Sequence, residues 1–157
     1  MRLHICAVGR MRAIDPERRI FDDYVMRFNR TARPLGLGPL TEHEVEDRKG
    51  GGMATEADLL ARALPAGAWM VSMDERGAVL SSPEFATQLV KWRNDGRQDL
   101  AFVIGGADGI APSLRARADA SLSFGRMVWP HMLVRVMLAE QLYRAATILG
   151  GGPYHRA

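Results

Sequence analysis

The residues that could do chemistry in this 157-residue chain gather in two stretches. One is the carboxyl terminus, LGGGPYHRA (149–157), where Tyr154, His155 and Arg156 follow Pro153 and the glycines Gly150, Gly151 and Gly152. A phenol, an imidazole and a guanidinium in a row supply a stacking surface, a proton acceptor near neutral pH and a fixed positive fork. Chain ends are usually frayed and chemically plain, so this ending invites a functional reading. The glycines are expected to end a helix and let the chain swing, and Pro153 to stiffen the final residues. The other stretch is VIGGADGI (103–110), glycines just beyond a buried strand, where α/β proteins bind ligands and backbone N–H groups can come close to them. Its order, Gly105, Gly106, Gly109, is not G-x-G-x-x-G, and no Lys-Ser/Thr follows, so neither a dinucleotide fingerprint nor a phosphate loop is present. A glycine turn that merely joins strand to helix is the plain alternative.

Other chemistries find no support in the spacing. His4, His43, His131 and His155 are scattered and Cys6 has no partner cysteine, so no metal site is expected. A single cysteine also excludes a disulfide framework, and Cys6 reads as a packed, reduced thiol. No G-x-S-x-G occurs, which removes the serine-hydrolase elbow. Glu42, Glu44 and Glu46 read as a solvated edge. His131 follows Pro130 at a helix start, where a structural role for the imidazole is preferred over a catalytic one.

The elements that must position these residues alternate as in an α/β domain. LHICAV (3–8) is a first strand. A helix follows from Asp15, a capping residue, and Pro16, with Ile20, Phe21, Tyr24, Val25 and Phe28 on its buried face. LTEHEVE (40–46) is at best an edge strand, and a helix after the loop DRKGGG ends near Leu64-Pro65. AWMVSM (68–73) is a central strand buried on both faces, followed by the turn DERG (74–77). Ser82-Pro83 opens a helix that buries Phe85, Leu89 and Trp92, and LAFVI (100–104) is the next buried strand. A short helix from Pro112, a strand at SLSF (121–124) and a last helix from Pro130 to Leu149 complete the order. That last helix is apolar on nearly every face and needs cover all round, which predicts a homodimer built on it.

Length allows one domain, residues 1–157, with a real core. The apolar run at the start is too short for a secretory signal, and nothing reaches the ~18 apolar residues of a membrane helix, so a cytoplasmic protein without a membrane partner is expected. Residues 1–33 hold eight Arg against four acids and residues 115–157 six Arg against two acids, whereas the middle is acidic. Basic ends rich in Arg permit a nucleic-acid partner without proving one.

FVIGGADGI, SLSFGRMVWPHMLVRVMLAEQLYRAATI and GPYHR together resemble the SPOUT-class methyltransferases of large-subunit ribosomal RNA. The branch they are most similar to is the pseudouridine-N3 one, the ribosomal RNA large subunit methyltransferase H family. AVG in the first strand and SMDERG after the third fit it too, and the match is strongest over 100–157. The resemblance implies a mostly parallel sheet flanked by helices, with a carboxyl-terminal trefoil knot where unaided pattern reading gives an open Rossmann-like sheet. It also implies a homodimer and S-adenosylmethionine as methyl donor. By matching motif, the donor would be held by Met73, Gly105, Phe124, Gly125, Arg126, Met127, Val128 and Trp129. The substrate would be N3 of a pseudouridine in 23S rRNA, on assembled ribosomes, with His155 as general base. Arg156 would stabilise negative charge and Tyr154 would stack on or orient the base. The loop GGGMATEAD (50–58) departs from the family in having more glycine and less positive charge, so no RNA contact is assigned to it. A non-catalytic ribosome-binding or rRNA-binding factor is the competing class. A nicotinamide oxidoreductase is disfavoured by the missing fingerprint.

Overall fold

The computed structural model describes residues 1–156. Five parallel strands form one sheet: β1 (Arg2–Val8), β2 (Leu40–Val45), β3 (Trp69–Val79), β4 (Asp99–Ile104) and β5 (Ala120–Ser123), in the order β2-β1-β4-β3-β5. Helices α1 (Pro16–Ala32), α2 (Met53–Ala63), α3 (Ser82–Asn94), α4 (Pro112–Arg115) and α5 (His131–Leu149) connect them and follow the last strand. The sheet separates two apolar layers by the period-2 alternation of its strands. Leu3, Ile5 and Ala7 of β1 with Leu100, Phe102 and Ile104 of β4 face α1, α3 and α5. Cys6 and Val8 with Val103 face the thinner layer of α2 and α4.

Local chemistry accounts for most boundaries. Ser81 caps α3 by accepting from the Glu84 backbone N–H at 3.3 Å, while the Glu84 carboxylate accepts from the Ser81 N–H at 2.7 Å, a reciprocal capping box. Asp15 occupies the cap position of α1 but does not cap it. Its carboxylate instead accepts the Arg12 backbone N–H at 2.7 Å and pairs with the Arg12 guanidinium at 3.0 Å. Ile20, expected on the buried face of α1, is 48% exposed, while Phe21 and Phe28 are buried as expected.

Three further expectations change. β3 is interior, paired with β4 and β5, but the centre of the sheet is β4. The turn expected at 74–77 is an excursion within a longer strand. Met73 and Ala78 both lie opposite Leu122, so four residues leave the β3–β5 ladder before the strand resumes to Val79. Gly77 lies so close to β5 that a Cβ there would stand 2.6 Å from the Leu122 carbonyl carbon.

β2 is the edge strand and Glu46, just past it, is exposed as expected, but Glu42 and Glu44 are not solvated. Arg18 of α1 pairs with Glu42 at 2.8 Å and Glu44 at 3.1 Å, and Arg135 of α5 pairs with the same carboxylates at 3.1 and 2.7 Å. Arg135 is completely buried, in the second turn of the helix read as apolar on nearly every face. α5 lies between α1 and α3, which already cover Leu138, Ala139, Leu142, Ala145 and Ala146.

Candidate active site

A cavity of about 430 Å³ opens at the carboxyl ends of β3, β4 and β5, the end of a parallel sheet where ligands bind. Met73 contributes from the end of the β3 ladder, Gly105 from the end of β4, and Phe124, Gly125, Met127, Val128 and Trp129 from the connection between β5 and α5. Seven of the eight residues expected to hold the donor therefore line one space. Arg126 is the exception, exposed and outside the lining. A second cavity of about 300 Å³ shares Leu122, Phe124 and Gly125 with the first and continues toward Ser81 and Gln141.

The loops that shape the cavity are held by identifiable contacts. After β4 the chain doubles back, with the Gly109 N–H donating to the Gly106 carbonyl at 3.0 Å. A Cβ on Gly105 would stand 2.4 Å from the Gly109 carbonyl oxygen, so only glycine admits this fold-back. The reason for glycine at 105 is thus both turn geometry and the open wall it leaves. After β5, Ser123 Oγ donates to the Gly125 carbonyl at 2.9 Å and accepts its N–H at 3.0 Å. This clip fixes Gly125 at φ +112°, a backbone conformation that favours glycine.

The wall carries charge that the sequence reading did not single out. Asp74, Glu75 and Arg76 come from the excursion in β3, Asp108 from the β4 loop and Arg115 from α4. Asp74 accepts the Arg76 backbone N–H at 2.8 Å and lies 3.5 Å from the Arg115 guanidinium, which balances a nearly buried carboxylate. His131, the first residue of α5, also lines the cavity, with Nε2 near Gly9. Burial, helped by the charge of Arg135, pulls its pKa below the usual imidazole value, so it is neutral at physiological pH. Among the described residues, no cluster of three or more His, Cys, Asp and Glu side chains could hold a metal ion.

A family model described as "Predicted SPOUT methyltransferase" matches residues 1–155. The chain belongs to the SPOUT methyltransferase family. Ribosomal RNA large subunit methyltransferase H of Ruegeria sp. (strain TM1040) is 67% identical to it over 156 residues, 99% of each chain. The protein of the same name from Cereibacter sphaeroides (strain ATCC 17025 / ATH 2.4.3) is 69% identical over 156 residues, again 99% of both. Among solved structures, a probable methylase family protein from Haemophilus influenzae Rd KW20 shares the fold, with a TM-score of 0.53 and 11% identity over 99% of this chain and 70% of that one.

In this SPOUT protein the carboxyl-terminal residues are not beside the cavity of their own chain. His131 and Val134 in the first turn of α5 line the cavity, whereas the tail leaves the opposite end of the helix and none of its residues lines that space. The glycines act as a cap rather than a free hinge. Gly151 donates to the Ile148 carbonyl at 3.2 Å and Gly152 to that of Thr147 at 2.8 Å, which turns the chain back along its own helix. Tyr154 and His155 are half-buried there and Arg156 is exposed. The structure thus brings together seven of the eight residues expected to hold the donor and places the expected catalytic trio outside that cavity.

Proposed function

We propose that this protein transfers a methyl group from S-adenosylmethionine to N3 of a pseudouridine in 23S rRNA, acting as a homodimer on the assembled large subunit or ribosome. The observation that carries the reading is the convergence of Met73, Gly105, Phe124, Gly125 and Met127–Trp129 on one cavity, in a chain two-thirds identical over its whole length to proteins named as large-subunit rRNA methyltransferases. The threading of the carboxyl-terminal part as a trefoil knot belongs to the same reading, supported by the meeting of three loops at that cavity. Action on ribosomes would take place in the cytoplasm. No helix among the described residues is long and apolar enough to cross a membrane.

The cavity fits the donor on chemical grounds. Met73, Ile104, Leu122 and Phe124 offer apolar contact, while the open backbone around Gly105 and Gly125 offers N–H and C=O groups to the polar ends of such a molecule. When bound, S-adenosylmethionine supplies a sulfonium-activated methyl group. The protein's task is then orientation and removal of the imide proton, since N3 must present a lone pair. His155 of one protomer accepts that proton at the cavity of the other. Arg156 holds negative charge on the neighbouring carbonyl oxygens or a nearby phosphate. Two copies are invoked because no residue of the tail lines the cavity of its own chain. Exposed apolar residues that line the cavity, Met127, Val128 and Trp129, together with exposed Leu133 in the first turn of α5, are suited to cover by the second copy.

The test is nucleoside mass mapping of ribosomal RNA from cells with and without this protein, together with calorimetric titration by S-adenosylmethionine. The reading expects one methylated pseudouridine to vanish on deletion and the donor to bind. Absence of both effects would leave a non-catalytic ribosome-binding factor as the better account.

A further inference from the structure

Glu140 is one of only two acids in residues 115–157 and sits mid-way along α5. Three groups converge on it. Tyr154 donates its phenol O–H to Glu140 Oε1 at 3.0 Å, Arg144 pairs with the same oxygen, and Gln141 donates to Oε2 at 2.8 Å. Arg144 also lies over the Tyr154 ring, 4.8 Å from its centroid, and comes within 3.4 Å of His155 Nδ1. Tyr143 packs against Tyr154 with centroids 4.7 Å apart, and Tyr24 of α1 stands behind Tyr143 at 6.1 Å. The last residues are therefore bolted to the carboxyl-terminal half of their own helix, with Glu140 as the shared acceptor and Tyr143 and Arg144 packed against Tyr154. The ring of Tyr154 is engaged by Tyr143 and Arg144, which leaves it poorly placed to stack on a base. Burial, with hydrogen bonds involving Tyr24 and Glu140, raises the Tyr154 pKa well above that of an ordinary phenol, so it remains a donor through the physiological range.

We infer that Tyr154 is the anchor of the carboxyl-terminal segment on its own helix, and that Glu140 and Arg144 are positioning residues that fix where His155 and Arg156 are presented to the other protomer. The inference rests on the proposed function, in which that segment completes the partner's site. Physically, it replaces a tail that searches a wide volume with one held near a single geometry. Such placement raises the effective concentration of the imidazole at the reaction centre. Tyr154 thereby acts through position and not by contact with substrate.

The experiment compares Tyr154→Phe, Glu140→Ala, their double variant, Glu140→Gln and His155→Ala in the full-length dimer. Two readouts are taken: backbone ¹⁵N relaxation of residues 151–156 without ligand, and kcat and KM on ribosomes. Tyr154→Phe and Glu140→Ala are expected to mobilise residues 153–156 and to lower kcat by about 10- to 100-fold, with KM and donor affinity unchanged. The double variant is expected to match the worse single one, and Glu140→Gln, whose amide oxygen still accepts the phenol, to recover part of the loss. His155→Ala should lower kcat with the segment still ordered. The inference is overturned if the segment stays rigid in both single variants, if their kcat matches wild type while His155→Ala is impaired, or if the two losses multiply. Full turnover in His155→Ala and in a chain lacking residues 153–157 would instead remove the tail from the reaction, and the relaxation data would still decide whether the anchor exists.

Discussion

Gly105 shows how a single hydrogen in place of a methyl group sets the shape of a site. The fold-back of GGADGI over it leaves 2.4 Å between a would-be Cβ and the Gly109 carbonyl oxygen, a contact no side chain can meet without moving backbone. Gly105→Ala is therefore expected to destabilise the protein by about 1–3 kcal/mol and to weaken donor binding. Urea denaturation and calorimetry check the two effects separately, and wild-type values in both would show that the loop is free to shift. The glycines after β4 were legible in the sequence because they are consecutive neighbours beyond a buried strand, whereas the run 124–129 was assigned only through its resemblance to the SPOUT family. Asp74, Arg115 and His131 were less legible, since what makes them part of the wall is proximity between segments tens of residues apart. Glu140 gave no signal of its own, because its meaning depends on a phenol 14 positions later turning back along the helix.

Among the elements, α5 combines two tasks that its apolar composition concealed. Its amino-terminal end frames the cavity and its carboxyl-terminal end carries the tail, so its placement on the sheet fixes both. Arg135 sets that placement. Completely buried, it donates to Glu42 and Glu44 and to the carbonyls of Val8 and Gly9 at 3.1 and 3.0 Å, joining the helix to the ends of β1 and β2. Removing one partner from a buried ionic group strands the others, so Arg135→Met should cost about 3–5 kcal/mol in denaturant unfolding. Replacing Arg135, Glu42 and Glu44 together by apolar residues of similar size should recover much of that loss. A small effect in the single variant would mean that water reaches the carboxylates. Periodicity located the main helices and strands here because their apolar positions repeat at 3.6 or 2 residues. It misread the acids of β2 and the residues 74–77. Ion pairs with Arg18 of α1 and Arg135 of α5 hold Glu42 and Glu44, and a bulge that resumes as strand looks locally like a turn.

At the scale of the whole molecule, the decisive fact is a separation. The residues expected to hold the donor line a cavity at the amino-terminal end of α5, whereas Tyr154 and His155 fold back against Glu140, Tyr143 and Arg144 in its carboxyl-terminal half and line no part of that cavity. One copy of the chain therefore holds both halves of the proposed site without bringing them together in this structure. The sequence placed the two motifs in one protein but could not show their relative placement, since the cap turns the tail back along α5 and contacts with Glu140 and Arg144 decide where it rests. Pairing a cavity with the tail of a second copy resolves the separation, and it makes a specific demand on mixed dimers. A chain with Gly105→Ala has a damaged cavity and an intact tail, whereas a chain with His155→Ala has the reverse. Mixing the two and allowing subunits to exchange is the most direct measurement. Each variant alone is expected to be impaired and the mixture to regain activity, up to roughly a quarter of wild type, because half of randomly paired dimers are mixed and each mixed dimer holds one complete site. A mixture no more active than the average of its two components would contradict the shared site.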